Sequence, residues 1–174
     1  QIINNEKKFG ISIIKINKYI DRGNILFEKK FKLKKNYDIN DLHRISNKQF
    51  SISIPKAIDI LISGKNKKKQ KEKYSNYFRQ RKEEDGLINC RQMNSLQIYN
   101  FVRALCNPYP NAFTFYNNLK FKFQKVKISK VKLNLNPGEF LKKNNKTFVK
   151  CKKGCIEILK SNRGLPKSGK FDSI

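Results

Sequence analysis

Residues Tyr99–Phe113 read YNFVRALCNPYPNAF. Apolar residues at helical spacing run into Arg103-Ala104-Leu105. A double-proline turn follows at Asn107-Pro108-Tyr109-Pro110, and aromatic residues then open a strand. Upstream, the pattern predicts a helix from Ser95, with Leu96, Ile98, Tyr99, Val102 and Leu105 on its buried side. Downstream, the period falls to two in Phe113-Thr114-Phe115-Tyr116, Phe121-Lys122-Phe123, Val126-Lys127-Ile128 and Val131-Lys132-Leu133. Phe148-Val149 and Ile156–Leu159 add further short strands, with turns at Asn117-Asn118 and Pro137-Gly138. Short strands between turn signals predict a small barrel or antiparallel sheet. Gly164–Ile174 reads as a frayed tail.

Towards the N-terminus, Phe9–Ile16 is a predicted strand with Ile11, Ile13 and Ile16 at apolar positions. Asp21-Arg22-Gly23-Asn24 is a turn, in which Gly supplies positive φ and Asp and Asn bond to nearby backbone. Ile25–Leu33 alternates again through Leu26, Phe27, Phe31 and Leu33. Asp38 or Asn40 then caps a helix carrying Leu42 and Ile45 on one face. Pro55 is expected to kink or divide that helix; Ala57, Ile58, Leu61 and Ile62 continue it, and Gly64 ends it. Lys65–Lys73 is lysine-rich, lacks apolar periodicity and reads as a solvated linker.

The 174 residues carry 40 Lys+Arg against 13 Asp+Glu, a net charge of +27, yet 38% are hydrophobic and periodically placed, so wholesale disorder is excluded. Such charge suits a phosphate-bearing partner. Here it is mostly Lys, it accompanies many Asn and Ile, and it is spread along the whole chain, which reads as compositional drift rather than one binding face. No apolar run approaches a membrane span and no signal peptide is visible. Cys151-x-x-x-Cys155 has no second Cys or His pair at ligand spacing, and the only histidine, His43, lies far away in sequence. Together with Cys90 and Cys106 these read as reduced thiols in a cytoplasmic protein that uses no metal.

Several motifs, in order, resemble the formyltransferases that use 10-formyltetrahydrofolate. Gly10-Ile11-Ser12 matches that family's G-[IV]-[ST] strand, and Asp21-Arg22-Gly23-Asn24-Ile25 its D-x-G-x-I turn. Arg103-Ala104 matches its R-A helix end, and Pro108-Tyr109-Pro110-Asn111-Ala112-Phe113 its P-[WY]-P-G-A-[FW] segment. Pro137-Gly138 matches a later P-G, so the resemblance covers roughly residues 10–159. Two positions depart from the pattern: Asn89-Cys90 stands for Asp-Trp, and Asn111, which tolerates positive φ, stands for Gly.

The resemblance implies an α/β fold: the end of a Rossmann-like formyltransferase domain over 1–64, a connector over 65–91, a small β-rich open-barrel-like domain over 92–160, and a tail over 161–174. It implies 10-formyltetrahydrofolate as formyl donor and a catalytic Asn, His and Asp. The Asn and His belong to an H-P-S-L-L-P region upstream of Gln1; Asp21 matches the Asp. The chain is thus expected to be a fragment, inactive alone. Read from its surroundings, Asp21 is a turn residue bonding its own backbone; the ordered motif set makes it catalytic. His43 is expected to be a surface or packing residue, not the missing histidine.

Two acceptors follow from the family's branches. Arg79–Ile88 (RQRKEEDGLI) looks more like the R-x-P-E-D-G-x-I connector of sugar-nucleotide N-formyltransferases, which act on a nucleotide-linked aminosugar. The charge points instead to initiator methionyl-tRNA. Arg103 and Tyr109 are candidate acceptor-site residues; their alternatives are a buried helix-end salt bridge and a packed turn aromatic. A non-catalytic basic module that binds RNA is a third possibility.

Overall fold

The computed structural model describes residues 1–64, 68–71 and 78–172. The chain divides into two compact units: Gln1, Glu6–Tyr37 and Asp41–Gln80 form one, and Ile2–Asn5, Asp38–Asn40 and Arg81–Ile174 the other.

In the first unit, alternation builds β1 (Lys8–Ile14) and β2 (Ile25–Lys32), which pair antiparallel with Phe9 opposite Phe31 and Ile13 opposite Phe27. The Phe9 and Phe31 rings stack at 5.1 Å. The expected Rossmann-like layer is corrected here: among the described residues this unit holds a two-stranded antiparallel sheet and one helix, and no parallel pair. The link from Lys15 to Asn24 is too short for a parallel crossover, which takes a dozen residues or more.

Helix α1 (Ile39–Ser63) starts under the Asp38 carboxylate, which accepts the Asn40 N–H at 2.8 Å. It ends at Gly64, where φ is 71° and the N–H donates to the Ile60 carbonyl. Pro55 does not divide it. Ser53 and Ala57, on either side of the proline, are both buried, and packing holds the two halves in one helix. Of the expected continuation, Ala57 is buried but Ile58, Leu61 and Ile62 are exposed.

In the second unit, α2 (Ser95–Leu105) begins in a capping box: Asn94 Oδ1 accepts the Gln97 N–H at 2.9 Å, and Gln97 Oε1 accepts the Asn94 N–H at 2.8 Å. Its buried face is Ile98, Asn100, Val102 and Arg103, whereas Leu96 is exposed. Strands β3 (Ala112–Tyr116), β4 (Leu119–Ser129), β5 (Glu139–Lys143), β6 (Lys146–Lys150), β7 (Cys155–Ser161) and β8 (Ser168–Lys170) form an antiparallel sheet in the order β3-β4-β7-β6-β5-β8. Asn117-Asn118 and Asn144-Asn145, all at positive φ, make the two tight hairpin turns. Val131–Leu133, expected as a strand, lies outside the strands formed by the described residues.

The sheet curls, because the Asp172 N–H, just past β8, donates to the Phe115 carbonyl on the opposite edge at 3.0 Å. The Asp172 carboxylate also accepts the N–H groups of Asn117 and Asn118. The result is a half-barrel closed by α2, with Ile88, Ile98, Val102, Phe121, Phe123, Phe140, Val149, Ile156 and Phe171 at its centre. The expected tail is corrected as well: it supplies β8 and Phe171, which is 2% exposed. A single phenylalanine among Gly, Ser and Lys has no periodicity to reveal it.

Candidate active site

Asp21 sits in the loop between β1 and β2 at φ 56°, with its side chain exposed. Three sets of bonds shape this loop. The Lys15 N–H donates to the Asn24 carbonyl at 2.9 Å. Asn17 Oδ1 accepts the Tyr19 N–H at 2.9 Å, and Asn17 Nδ2 donates to the Arg22 carbonyl at 3.3 Å. Gln70 Nε2 donates to the carbonyls of Asp21 at 2.7 Å and Gly23 at 2.8 Å. Gly23 is buried against the Lys15 carbonyl so closely that any Cβ there would overlap it. The expected positive φ at Gly23 is corrected: Asp21 takes the left-handed conformation, and glycine is required at 23 by the close approach of the Lys15 carbonyl. Nothing in the sequence singles out Gln70 or Asn17.

The solvated-linker expectation is corrected where the structure describes that run. Lys68 makes an antiparallel bridge to Ile25, with N–H···O distances of 2.8 and 3.1 Å, and its Nζ lies 3.2 Å from Glu28. The rest of the run, 65–67, 72 and 73, lies outside the described residues.

Arg103 and Tyr109 belong to the second unit, Asp21 to the first. Arg103 is 8% exposed; its Nε donates to Asn100 Oδ1 at 3.0 Å and its guanidinium lies 5.5 Å from the Tyr99 ring centre. Burial lowers its pKa, opposed by Tyr99 and by Asp38. Tyr109 is 42% exposed in a turn that starts with a cis Asn107–Pro108 bond and is closed by the Asn111 N–H on the Leu105 carbonyl at 2.9 Å. Asn111 takes φ 71°, the conformation a glycine would take, and Gly86 packs against its carbonyl. The connector motif becomes a 3₁₀ turn, Glu83–Gly86, from which Leu87 bridges to Phe113 and Glu83 reaches Lys120 at 2.9 Å. Lys120 holds the Glu83 carboxyl below its ordinary value.

His43 is exposed on α1. Cys90, Cys151 and Cys155 are buried and Cys106 is half-buried, all as free thiols. Among the described residues no three His, Cys, Asp or Glu side chains are grouped to hold a metal ion. Nor is any described helix long and apolar enough to cross a membrane.

This half-barrel, with its capped helix and double-proline turn, is the unit recognised in comparison with known proteins. Residues 81–167 match the family described as "Formyl transferase, C-terminal domain". The chain belongs to the formyltransferase family, as its C-terminal part. It is 31% identical over 159 residues to the bifunctional polymyxin resistance protein ArnA of Wigglesworthia glossinidia brevipalpis, covering 91% of this chain and 24% of that protein. It is 30% identical to methionyl-tRNA formyltransferase of Orientia tsutsugamushi, covering 91% of this chain and 51% of that one. Its structure resembles WlaRD, a sugar 3N-formyltransferase solved with dTDP and 5-N-formyl-THF, at TM-score 0.63 and 25% identity, covering 94% of this chain and 58% of that one. The chain thus spans about half the length, or less, of the curated relatives named here.

Proposed function

We propose that this chain is the second half of an enzyme that moves a formyl group from 10-formyltetrahydrofolate to the primary amine of a nucleotide-linked 4-aminosugar. Family membership carries the reaction class. The acceptor rests on the connector, whose Glu-Asp-Gly core forms the 3₁₀ turn under the double-proline loop; likeness to a protein named a sugar 3N-formyltransferase supports a sugar as the class of acceptor. In this reading, residues 1–64 end the catalytic domain and 65–91 connect it, while the small domain expected over 92–160 runs on through β8 and Phe171. The four free thiols suit a reducing cytoplasm.

In the reaction, the amine nitrogen attacks the formyl carbon, the tetrahedral oxyanion collapses, and the bond to the folate nitrogen breaks. The proton shed by the amine ends on the departing tetrahydrofolate. Asp21 is the carboxylate that orients a neighbouring imidazole and stabilises its charge while that proton moves. The imidazole and an Asn come from outside these residues. Arg103 and Tyr109 flank the acceptor: Tyr109 through its exposed ring, Arg103 by fixing the end of α2 from which the loop departs.

A second reading, transfer to initiator methionyl-tRNA, is favoured by the net charge of +27 and by likeness to a protein of that name. One assay separates the two. The complete enzyme is offered 10-formyltetrahydrofolate with either a nucleoside-diphosphate 4-aminosugar or initiator methionyl-tRNA, and products are weighed by mass spectrometry. The sugar is expected to gain the formyl mass, with kcat falling by about 10² to 10⁴ in Asp21→Asn. Formylation of tRNA alone would overturn the acceptor, and an undiminished Asp21→Asn enzyme would overturn the role of Asp21. Residues 1–174 alone are expected to transfer nothing.

A further inference from the structure

We infer that Gln70 is a positioning residue for Asp21, an inference that rests on the reading of Asp21 as the reaction's carboxylate. The case is geometric. The Gln70 side-chain nitrogen lies 2.7 Å from the Asp21 carbonyl oxygen and 2.8 Å from that of Gly23. Carbonyls only accept, so the amide is oriented without ambiguity, with both N–H bonds spent on one turn. That turn needs holding from outside. Asp21 occupies the left-handed region at φ 56°, which costs a non-glycine residue energy. Gly23 has backbone packed where any side chain would go, so the turn is close-fitted on one side and clasped on the other.

Gln70 is itself anchored. Two residues earlier, Lys68 exchanges both backbone hydrogen bonds with Ile25 at the start of β2, and its ammonium meets Glu28. The strand pairing therefore sets where Gln70 begins, and the side chain spans the remaining distance to the turn. The clasp grips the main chain and leaves the exposed Asp21 carboxylate to face the reaction.

The test uses Gln70→Glu, which keeps length but turns an acceptor on the two carbonyls, and Gln70→Arg, which keeps donors. Gln70 sits at the surface, so both variants are expected to keep the wild-type melting temperature. Amide hydrogen exchange at residues 21–24 is measured alongside kcat and KM in the complete enzyme. In Gln70→Glu, exchange at the turn is expected to speed up about tenfold with β1 and β2 unchanged. There, kcat should fall about tenfold or more with KM held within about twofold, because misplacement costs the transition state rather than binding. Gln70→Arg is expected to restore both. The double variant with Asp21→Asn should be no slower than Asp21→Asn alone. Unchanged exchange and kcat in Gln70→Glu, with Asp21→Asn inactive, would overturn the role of Gln70 and leave Asp21 standing. Faster exchange with full activity in Gln70→Glu would overturn the catalytic meaning of the clasp, and full activity in Asp21→Asn would overturn Asp21 itself.

Discussion

Cys151 shows how burial writes chemistry into a single residue. Its thiol has no solvent exposure, and loss of hydration pushes its pKa up from 9.0 to about 12, with Cys155 adding to the effect. Cys155 is pushed up to about 11 for the same reason, and Cys90 is raised further still. Each folded pKa lies above its unfolded value, so these thiols favour the fold fully below about pH 9. Above it, the unfolded chain loses protons that the folded chain keeps, and stability falls by up to about 1.4 kcal/mol per pH unit for each thiol. The stability lead of the native chain over Cys151→Ala is therefore expected to shrink as pH rises from 9 towards 12, read from urea midpoints. A constant lead across that range would refute it. The sequence shows where the cysteines stand, but how far their pKa values rise follows from what packs over them.

At the scale of elements, α2 is the piece most completely written in its own sequence. Asn94 and Gln97 satisfy each other's backbone N–H groups, and Ile98 and Val102, four apart, share the buried face. Asn94→Ala is expected to cost about 1 kcal/mol, measured as a shift in the denaturation midpoint; a loss below a few tenths would mean that packing alone sets the helix start. The N-x-x-Q pattern of Asn94 and Gln97 is a local signal for this helix start. Leu96 shows the opposite limit. The period places it near the apolar stripe, yet it is exposed, while Asn100 and Arg103 are buried in its stead because they bond each other. In α1, Pro55 is expected to kink or divide the helix; it does not divide it, and Ser53 and Ala57 are buried on either side.

At the scale of the whole molecule, closure of the half-barrel depends on its last residues. The Phe171 ring lies 5.0 Å from Phe140, 5.6 Å from Phe121 and 5.8 Å from Phe123, and Asp172 ties the following backbone to the β3–β4 hairpin. Phe171→Ala is expected to cost about 3–5 kcal/mol, seen as a large drop in the thermal midpoint, because it empties the point where both sheet edges converge. A drop of only a few degrees would mean that the sheet closes without that ring. Helix α2, the β3–β4 hairpin, the central strands and the family itself could be read from residues close together in the chain, since periods, caps and turns are local interactions. Asp21 could be picked out only through a motif set that resembles a family, because its own surroundings describe an ordinary turn. Four features came from tertiary structure alone: the antiparallel rather than Rossmann-like start, the Gln70 clasp, the bridge at Lys68, and a core phenylalanine in an apparent tail. Each joins residues far apart in sequence or reverses a local preference, and the free energy that selects such contacts is gained only when the chain has closed.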